Sequence, residues 1–255
     1  METADLLDAW RARHAEPTSG WDFSSFGDSI RPEEPPWSYD DLARDALAGA
    51  RSVLDLGTGG GEVLLGLADA LPADTVATEG WPPNLPVATA ALAARGFPVA
   101  EYDAEAHPRL PFDDGRFDVV LARHEAYVAS EVARVLTPSG VFLTQQVDGR
   151  DLSETVELFG GTLRYPGVTL AHLRVEAGAA GLVVEAARDW TGVLTFADVA
   201  TLVSYLRMTP WQVPDDFTVE RYADVLLALH RSGEPLRFTQ RRFVLRARRP
   251  APVPA

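Results

Sequence analysis

The sequence predicts an α/β fold in which helices cover both faces of a doubly wound, mostly parallel sheet. Apolar segments of strand length alternate with segments of helical periodicity along most of the chain, which is typical of strand–helix–strand units. The run 53–62 also places a short apolar strand directly before a glycine-rich turn, and helical spacing of apolar residues follows it. A strand, a tight turn and a helix in this order frame many nucleotide-type cofactor sites.

The same patterns predict each element in turn. Strands of the central sheet are expected near residues 52–56, 74–78, 98–102, 117–122 and 141–147. Helices are expected between them near 62–71, 84–95 and 128–136, and residues 137–140 are predicted to form a turn. Upstream, helices are expected at 1–16 and 39–48, joined by an aromatic loop, 21–37, that is predicted to pack on the core or close over a pocket. Downstream we expect a helix at 169–180, a strand at 182–187, helices at 196–208 and 219–231, and a last strand at 236–247.

Composition excludes several kinds of chemistry. The 255 residues contain no cysteine and no lysine, which excludes disulfides, thiolate nucleophiles and Schiff-base lysines. The net charge of −14 opposes capture of a phosphate backbone, so nucleic acid is not the expected partner. Arginines crowd the segment 237–249; solvated arginines on a terminal strand are the favoured interpretation, and an RNA-contacting edge is the alternative. No apolar run is long enough to cross a bilayer, and the cytoplasm is the expected location.

The spacing of the glycines in this turn differs from that of a dinucleotide-binding turn. Asp55 stands two residues before Gly57 in the pattern acid-x-Gly-x-Gly-x-Gly, whereas a dinucleotide fingerprint wants a third glycine at the position of Glu62. The pattern resembles the first motif of class I S-adenosylmethionine-dependent methyltransferases, in particular the small-molecule enzymes of the type 11-like group. In that family the acidic residue suits a cofactor whose amino-acid end carries an ammonium group.

Further segments are similar to the same family and occur in the family's order. They are the acid Glu79 after the second predicted strand, Tyr102 to Glu105 after the third, the run 110–120 into the fourth, and the run 131–140 before the fifth. The resemblance implies that Glu79 accepts the ribose hydroxyls, that Asp103 accepts from the adenine amino group, and that the amide of Ala104 reaches a ring nitrogen. The full set of cofactor-binding residues implied is Asp55, Gly57, Thr58, Gly59, Gly61, Glu79, Gly80, Trp81, Asp103, Ala104 and Arg123.

The resemblance also implies an architecture. It is a Rossmann-like sheet of seven strands in which the last strand, here the arginine-rich one, lies antiparallel between the fifth and the sixth. A helical lid would stand above the carboxyl ends of the strands, where open α/β sheets bind ligands. We expect one domain with an N-terminal cap, a cofactor-binding core, a lid insertion and a last strand with its tail, at residues 1–40, 41–190, 191–235 and 236–255.

Residues after the fourth strand often face the methyl acceptor in this family. Here His124 is the candidate catalytic residue, either as a proton acceptor or as a hydrogen-bonding group that orients the acceptor. Arg123 is a candidate for holding the cofactor or an acidic substrate, and an ion pair with Glu125 or Asp148 is the alternative. Gln145 and Gln146 need hydrogen-bond partners if they are buried in their apolar strand. The predicted substrate-binding residues are Trp37, Tyr39, His124, Gln146 and Trp211.

Four functions remain open from the sequence. The favoured one is methyl transfer from S-adenosylmethionine, leaving S-adenosylhomocysteine, to an oxygen, nitrogen or carbon nucleophile of a small molecule. The alternatives are an RNA methyltransferase, a nicotinamide-dependent oxidoreductase and a cofactor-binding protein without turnover. The histidines have no ligand-like spacing, so no metal site is expected, and a monomer or homodimer without a membrane partner is expected.

Overall fold

The computed structural model describes residues 2–17 and 23–251, and its strands form an eight-stranded sheet in the order β1-β7-β8-β6-β5-β2-β3-β4. The strands are β1 (Ile30–Pro32), β2 (Ser52–Leu56), β3 (Asp74–Glu79), β4 (Val99–Glu101), β5 (Phe117–Arg123), β6 (Leu136–Val147), β7 (Val183–Phe196) and β8 (Leu236–Arg248). The helices are α1 (Thr3–Ala15), α2 (Tyr39–Leu47), α3 (Glu62–Gly66), α4 (Leu85–Ala93), α5 (Ala129–Val135), α6 (Ser153–Leu158), α7 (Leu170–Ala179), α8 (Val199–Met208) and α9 (Ala223–Ser232).

The sheet confirms the predicted fold class. β4, β3, β2, β5 and β6 pair in parallel, and β8 pairs antiparallel with β6 in the place between β6 and β7. The expected seven strands are therefore present, and the arginine-rich strand is the inserted one. The eighth strand, β1, is a short edge strand antiparallel to β7 that the sequence did not indicate. The carboxyl ends of β2, β3, β4 and β5 share one edge of the sheet.

Several predictions of local structure are wrong in extent; the strand predicted at 141–147, for example, begins at Leu136, and the helix predicted at 219–231 begins at Ala223. α3 ends at Gly66 and not near residue 71, and β7 continues to Phe196, well beyond residue 187. The predicted turn at 137–140 lies inside β6, where Ser139 adopts a φ of 68° and the pairing with β5 shifts register. The N–H of Ser139 donates to the carbonyl of Arg249, and the N–H of Arg249 donates to the carbonyl of Gly140, each at 2.9 Å. Residues 137–140 therefore form a β-bulge that these two contacts keep in the sheet.

The chain divides into two compact units. The first contains the residues before Pro36 together with 148–167 and 190–241, and its core joins Trp10 of α1 to Leu202, Leu206 and Leu226. The predicted N-terminal cap and the predicted lid helices thus share one apolar core. The second unit contains 36–147, 168–189 and the residues after Arg241, and it carries the sheet edge described above. The domain boundaries and the lid role expected from the sequence stay predictions.

The aromatic loop is packed only in part. Trp37 is buried, whereas Phe23 is 37% exposed and stacks on Phe26. Trp21 and Met1 lie outside the described residues.

Candidate active site

The turn after β2 is held against the tip of β3. Gly57, Gly59 and Gly61 have φ values of 64°, 63° and 91°, a backbone conformation that side chains disfavour. The N–H of Thr58 donates to the carbonyl of Thr78 at 2.8 Å, and the N–H of Gly57 donates to the hydroxyl of Thr78 at 3.2 Å. The glycines therefore allow the chain to double back closely on its neighbouring strand.

Glu79 closes this turn from the end of β3. One carboxylate oxygen accepts the N–H of Gly59 at 2.7 Å, and the other accepts the N–H of Trp81 at 2.8 Å. Burial raises the pKa of Glu79, while these backbone donors oppose the rise. The same carboxylate thus fixes the backbone on both sides of the predicted ribose position.

Asp55 is a buried carboxyl group that is expensive to ionise. Burial raises its pKa to about 7, and the nearby charge of Glu79 adds to the effect. Thr58 acts in the opposite direction, although its hydroxyl falls short of a regular hydrogen bond to Asp55. Among the described residues, the hydroxyl groups of Thr58 and Tyr39 are both buried without a hydrogen-bond partner. Burial raises the pKa of the Tyr39 phenol, and the nearby charge of Asp55 adds to the rise.

Glu125 is a site residue that the sequence did not indicate as a binding group. Its side chain lies over the turn, because a Cβ built on Gly57 would stand 2.2 Å from Cγ and 2.3 Å from Oε2 of Glu125. Burial raises the pKa of Glu125 to about 7, and Glu79 and Asp103 contribute to the rise. The pairing of Leu56 with Ala122 already places the residues after β5 beside the turn after β2. The sequence shows an acid at position 125, but only the pairing register of β5 with β2 shows that this acid lies beside the turn.

Asp103, Ala104, Gly80 and Trp81 lie at the tips of β3 and β4. A Cβ on Gly80 would stand 2.6 Å from the carbonyl oxygen of Tyr102, so only glycine fits at this approach. Asp103 is exposed and accepts the N–H of Glu105 at 2.8 Å, which shapes the turn that carries Ala104. These positions are compatible with the adenine contacts that the resemblance implies, which stay predictions.

His124 and Arg123 follow the same strand end. His124 has a φ of 59°, which is uncommon for a residue with a side chain, and its backbone N–H donates to the carbonyl of Gln145 at 2.8 Å. His124 keeps an exposed face, yet burial of its ring, Arg242 and Arg123 lower its pKa well below the usual value. The guanidinium carbon of Arg123 lies 5.5 Å from the centroid of the Tyr39 ring, and Asp148 pairs instead with Arg150 at 2.7 Å.

Both glutamines of β6 are buried and hydrogen-bonded, as their position in an apolar strand requires. Gln146 donates to the carbonyl of Glu125 at 2.9 Å and to the hydroxyl of Thr144 at 2.8 Å. Gln145 contacts Trp37 and His124. Trp211 belongs to the first unit, in the short 3-10 helix Pro210–Gln212, and its predicted substrate role is untested.

The described part of the chain contains neither a membrane-spanning helix nor a group of metal-ligating side chains. Within residues 2–17 and 23–251, no helix has both the length and the apolar character needed to cross a membrane. Over the same residues, His, Asp and Glu side chains form no group of three that could hold a metal ion.

Comparison with known proteins connects this geometry to a family. Residues 54–144 match the type 11 family model described as "Methyltransferase domain". The fold is similar to YcgJ of Bacillus subtilis (17% identity, TM-score 0.61, covering 84% of this chain and 98% of that one). It is also similar to a candidate methyltransferase of Bacillus halodurans C-125 (20% identity, TM-score 0.59, 84% and 100%) and to the [4+2]-cyclase SpnF (18% identity, TM-score 0.50, 97% and 93%). No curated protein matches the sequence.

Residues 54–144 thus carry a methyltransferase domain, and the glycine turn and the inserted antiparallel strand of the sheet support a methyltransferase of class I. The residues that match the type 11 domain run from β2 into β6.

Proposed function

We propose that this protein binds S-adenosylmethionine on the turn after β2 and transfers the methyl group to an oxygen, nitrogen or carbon nucleophile of a small molecule. The observation that carries the proposal is the convergence of acidic groups on one glycine turn. Glu125 lies over Gly57, and burial together with the nearby charge of Glu79 raises the pKa values of both Asp55 and Glu125 to about 7. A cationic ligand with hydroxyl groups is the kind of molecule that such a set of acceptors favours.

The residues of this chain fit that cofactor. Asp55 and Glu125 would accept hydrogen bonds from its ammonium group, which would lower their pKa values by pairing each negative charge. The unpartnered hydroxyls of Thr58 and Tyr39 would gain partners from the same ligand. Glu79 keeps lone pairs for the ribose hydroxyls while it holds Gly59 and Trp81. Glu125 must turn away from Gly57 or become a direct contact, because its side chain now covers that glycine.

The bound cofactor supplies an electrophilic methyl group on a sulfonium. The chain then has to hold the nucleophile in line with that methyl and to exclude water, and such positioning can lower a barrier by several kcal/mol. Arg123 ends β5 next to the turn, His124 follows it, and both are the candidates for contact with the acceptor. Arg123 is exposed and lies over the face of Tyr39, which leaves its N–H groups able to receive an anionic part of the acceptor.

A small-molecule acceptor is favoured over RNA by the partners of the terminal arginines. Arg246 pairs with Asp45 at 2.7 Å and with Glu185 at 3.1 Å, and Arg248 pairs with Glu185 at 2.5 Å. Arg249 donates to the carbonyl of Arg134 at 3.1 Å. These contacts neutralise or occupy much of the basic strand, and the net charge of −14 repels a polyanion.

Calorimetry with S-adenosylhomocysteine tests the cofactor site. We expect binding to the unmodified protein and a loss of roughly tenfold or more in affinity for Asp55→Ala and for Glu79→Ala. Glu101→Ala is the matched control, because Glu101 is an exposed acid at the end of β4 that pairs in register with Glu79. Absence of binding, or equal affinities in all variants, would refute the assignment.

Transfer of a labelled methyl group then separates the acceptor classes. Label entering a small-metabolite fraction supports the proposal, whereas label entering only RNA, with binding that weakens steeply in salt, supports the RNA alternative. Thermal stabilisation by NAD(P) without any by S-adenosylhomocysteine would support an oxidoreductase instead. Cofactor binding without transfer to either fraction would leave the non-catalytic binding protein.

A further inference from the structure

A buried hydrogen-bond chain leads from Trp37 to His124. The indole Nε1 of Trp37 donates to Oε1 of Gln145 at 2.8 Å, and both side chains are buried. An indole N–H can donate but cannot accept a hydrogen bond. The contact therefore requires the amide oxygen of Gln145 to face Trp37, and its NH2 group must point the other way.

The orientation of Gln145 in turn decides the state of the histidine. Nε2 of Gln145 lies 3.3 Å from Nε2 of His124. An amide NH2 group has only protons to offer, so Nε2 of His124 has to be the acceptor in this contact. A histidine that accepts at Nε2 is neutral and carries its proton on Nδ1.

The charges that face His124 favour the same neutral state. Burial of the ring disfavours a second proton on His124, and the cationic groups of Arg242 on β8 and Arg123 on β5 add to this effect. The backbone of His124 is fixed as well, through its hydrogen bond to the carbonyl of Gln145. In the described part of the chain Nδ1 makes no hydrogen bond, and the residue keeps an exposed face.

We propose that Trp37 and Gln145 are positioning residues that lock His124 as a neutral Nδ1–H donor, and that His124 selects acceptor molecules carrying a hydrogen-bond acceptor group, such as a carbonyl or carboxylate oxygen. His124 then orients the acceptor and does not take its proton, since the one nitrogen with a lone pair is committed to Gln145. The nucleophile must arrive deprotonated or lose its proton elsewhere. The donor role rests on the proposed function, whereas the tautomer does not.

Long-range proton–nitrogen NMR correlation on the ¹⁵N-labelled protein without cofactor tests the tautomer directly. The chain has five histidines, and the His124 pattern is the one that disappears in His124→Ala. We expect the His124 pattern of a neutral ring protonated at Nδ1 at about pH 7. A ring protonated at Nε2, or at both nitrogens, overturns the proposal.

Variants of the positioning residues test the cause. In Gln145→Glu both partners face a carboxylate, so His124 should move its proton to Nε2 and its pKa should rise. In Trp37→Phe the amide is free to turn, and a mixture of tautomers is expected. Trp190→Phe, a partly buried tryptophan of the first unit, is the control that should leave the pattern unchanged. An unchanged tautomer in both Gln145→Glu and Trp37→Phe would overturn the positioning role.

The acceptor-binding part has its own readout. Once an acceptor is known, His124→Asn keeps an N–H donor and should retain more kcat/KM than His124→Leu, and neither change should remove the acidic limb of the pH profile, in which activity falls as a general base is protonated. Loss of such a limb would show that His124 acts as a base and would overturn the donor role. If S-adenosylhomocysteine does not bind while the Nδ1–H tautomer is found, the proposed function fails alone. If it binds while His124 carries another tautomer, only this inference fails.

Discussion

Glu79 accepts the backbone N–H of Gly59 at 2.7 Å, and this single contact joins the tip of β3 to the turn after β2. The other oxygen of the carboxylate is committed to Trp81 at 2.8 Å. The family resemblance assigned Glu79 to a ligand, yet its side chain also builds the surface on which that ligand would lie. The proposed binding role and the observed structure of the turn therefore fall on the same residue.

Glu79→Gln should be more harmful than the small chemical change suggests. An amide presents an NH2 group where the carboxylate had an acceptor oxygen, so one of the two backbone N–H groups must lose its partner. We expect weaker binding of S-adenosylhomocysteine, by roughly tenfold or more, measured by calorimetry. Glu101→Gln, on the neighbouring strand, should bind as the unmodified protein does, and a similar loss there would contradict the explanation.

Gly57→Ala should reveal how close Glu125 stands to the turn. The new Cβ would face strain from the φ of 64° and a clash with the Glu125 side chain at 2.2 Å. A non-glycine residue in this conformation costs about 1–2 kcal/mol, and the clash adds to that cost. Thermal denaturation of Gly57→Ala, Glu125→Ala and the double variant forms a cycle in which we expect the double variant to be more stable than the sum of the two changes predicts. Additive losses would mean that Glu125 does not lie over Gly57.

The sequence predicted the strands of the site closely because their signals are local. β2, β3 and β5 are apolar runs that end at polar residues or glycine, and their observed bounds differ from the predicted ones by at most one residue. The family motifs lie on those strand ends, so local sequence was sufficient to name most of the cofactor-binding candidates.

The remaining features depend on pairings between distant segments. Glu125 reaches Gly57 because β5 pairs with β2 in one particular register, and the polarity of Gln145 is set by Trp37, more than a hundred residues earlier. Local sequence encodes neither relationship. α6 was not predicted for another reason, since it begins after Leu152 at a φ of 48° without a side-chain cap that could have marked its start.

Asp55→Asn should stabilise the protein without cofactor at alkaline pH while it weakens cofactor binding. The pKa of Asp55 is about 7 in the folded chain and about 4 in an unfolded one, so the folded state binds more protons between these values. The contribution of Asp55 to the free energy of unfolding therefore falls as pH rises from about 4 to about 7 and stays low above that. Urea unfolding should show the variant gaining about 1–3 kcal/mol over the unmodified protein at about pH 8 and much less at about pH 5.

Asp74 provides a control of opposite sign. Its pKa is lowered by the hydrogen bond to Arg116, at 2.6 Å, so its contribution to stability is present at neutral pH and is lost as pH falls through the lowered pKa. Asp74→Asn should be slightly less stable than the unmodified protein at about pH 8, the reverse of Asp55→Asn. A pH-independent effect of Asp55→Asn would show that its carboxyl group is not ionised at a cost in the folded state.

Arg134 should be among the most sensitive arginines of the second unit. Its side chain is 14% exposed and binds Glu131 at 2.6 Å and Asp114 at 2.7 Å, and it also donates to the carbonyls of Phe112 and Leu110. Removing the guanidinium takes the paired cation from the partly buried Glu131, which keeps the N–H of Leu110, and takes a donor from two carbonyls, so Arg134→Gln should cost about 2–4 kcal/mol in urea unfolding. Arg51→Gln is the control: its guanidinium lies 3.6 Å from Asp118 with the side chain 90% exposed, and we expect a change within about 0.5 kcal/mol. Equal losses in the two variants would contradict the idea that Arg134 ties the run 110–120 to the run 131–140, the two segments whose joint occurrence the family resemblance had noted without explaining.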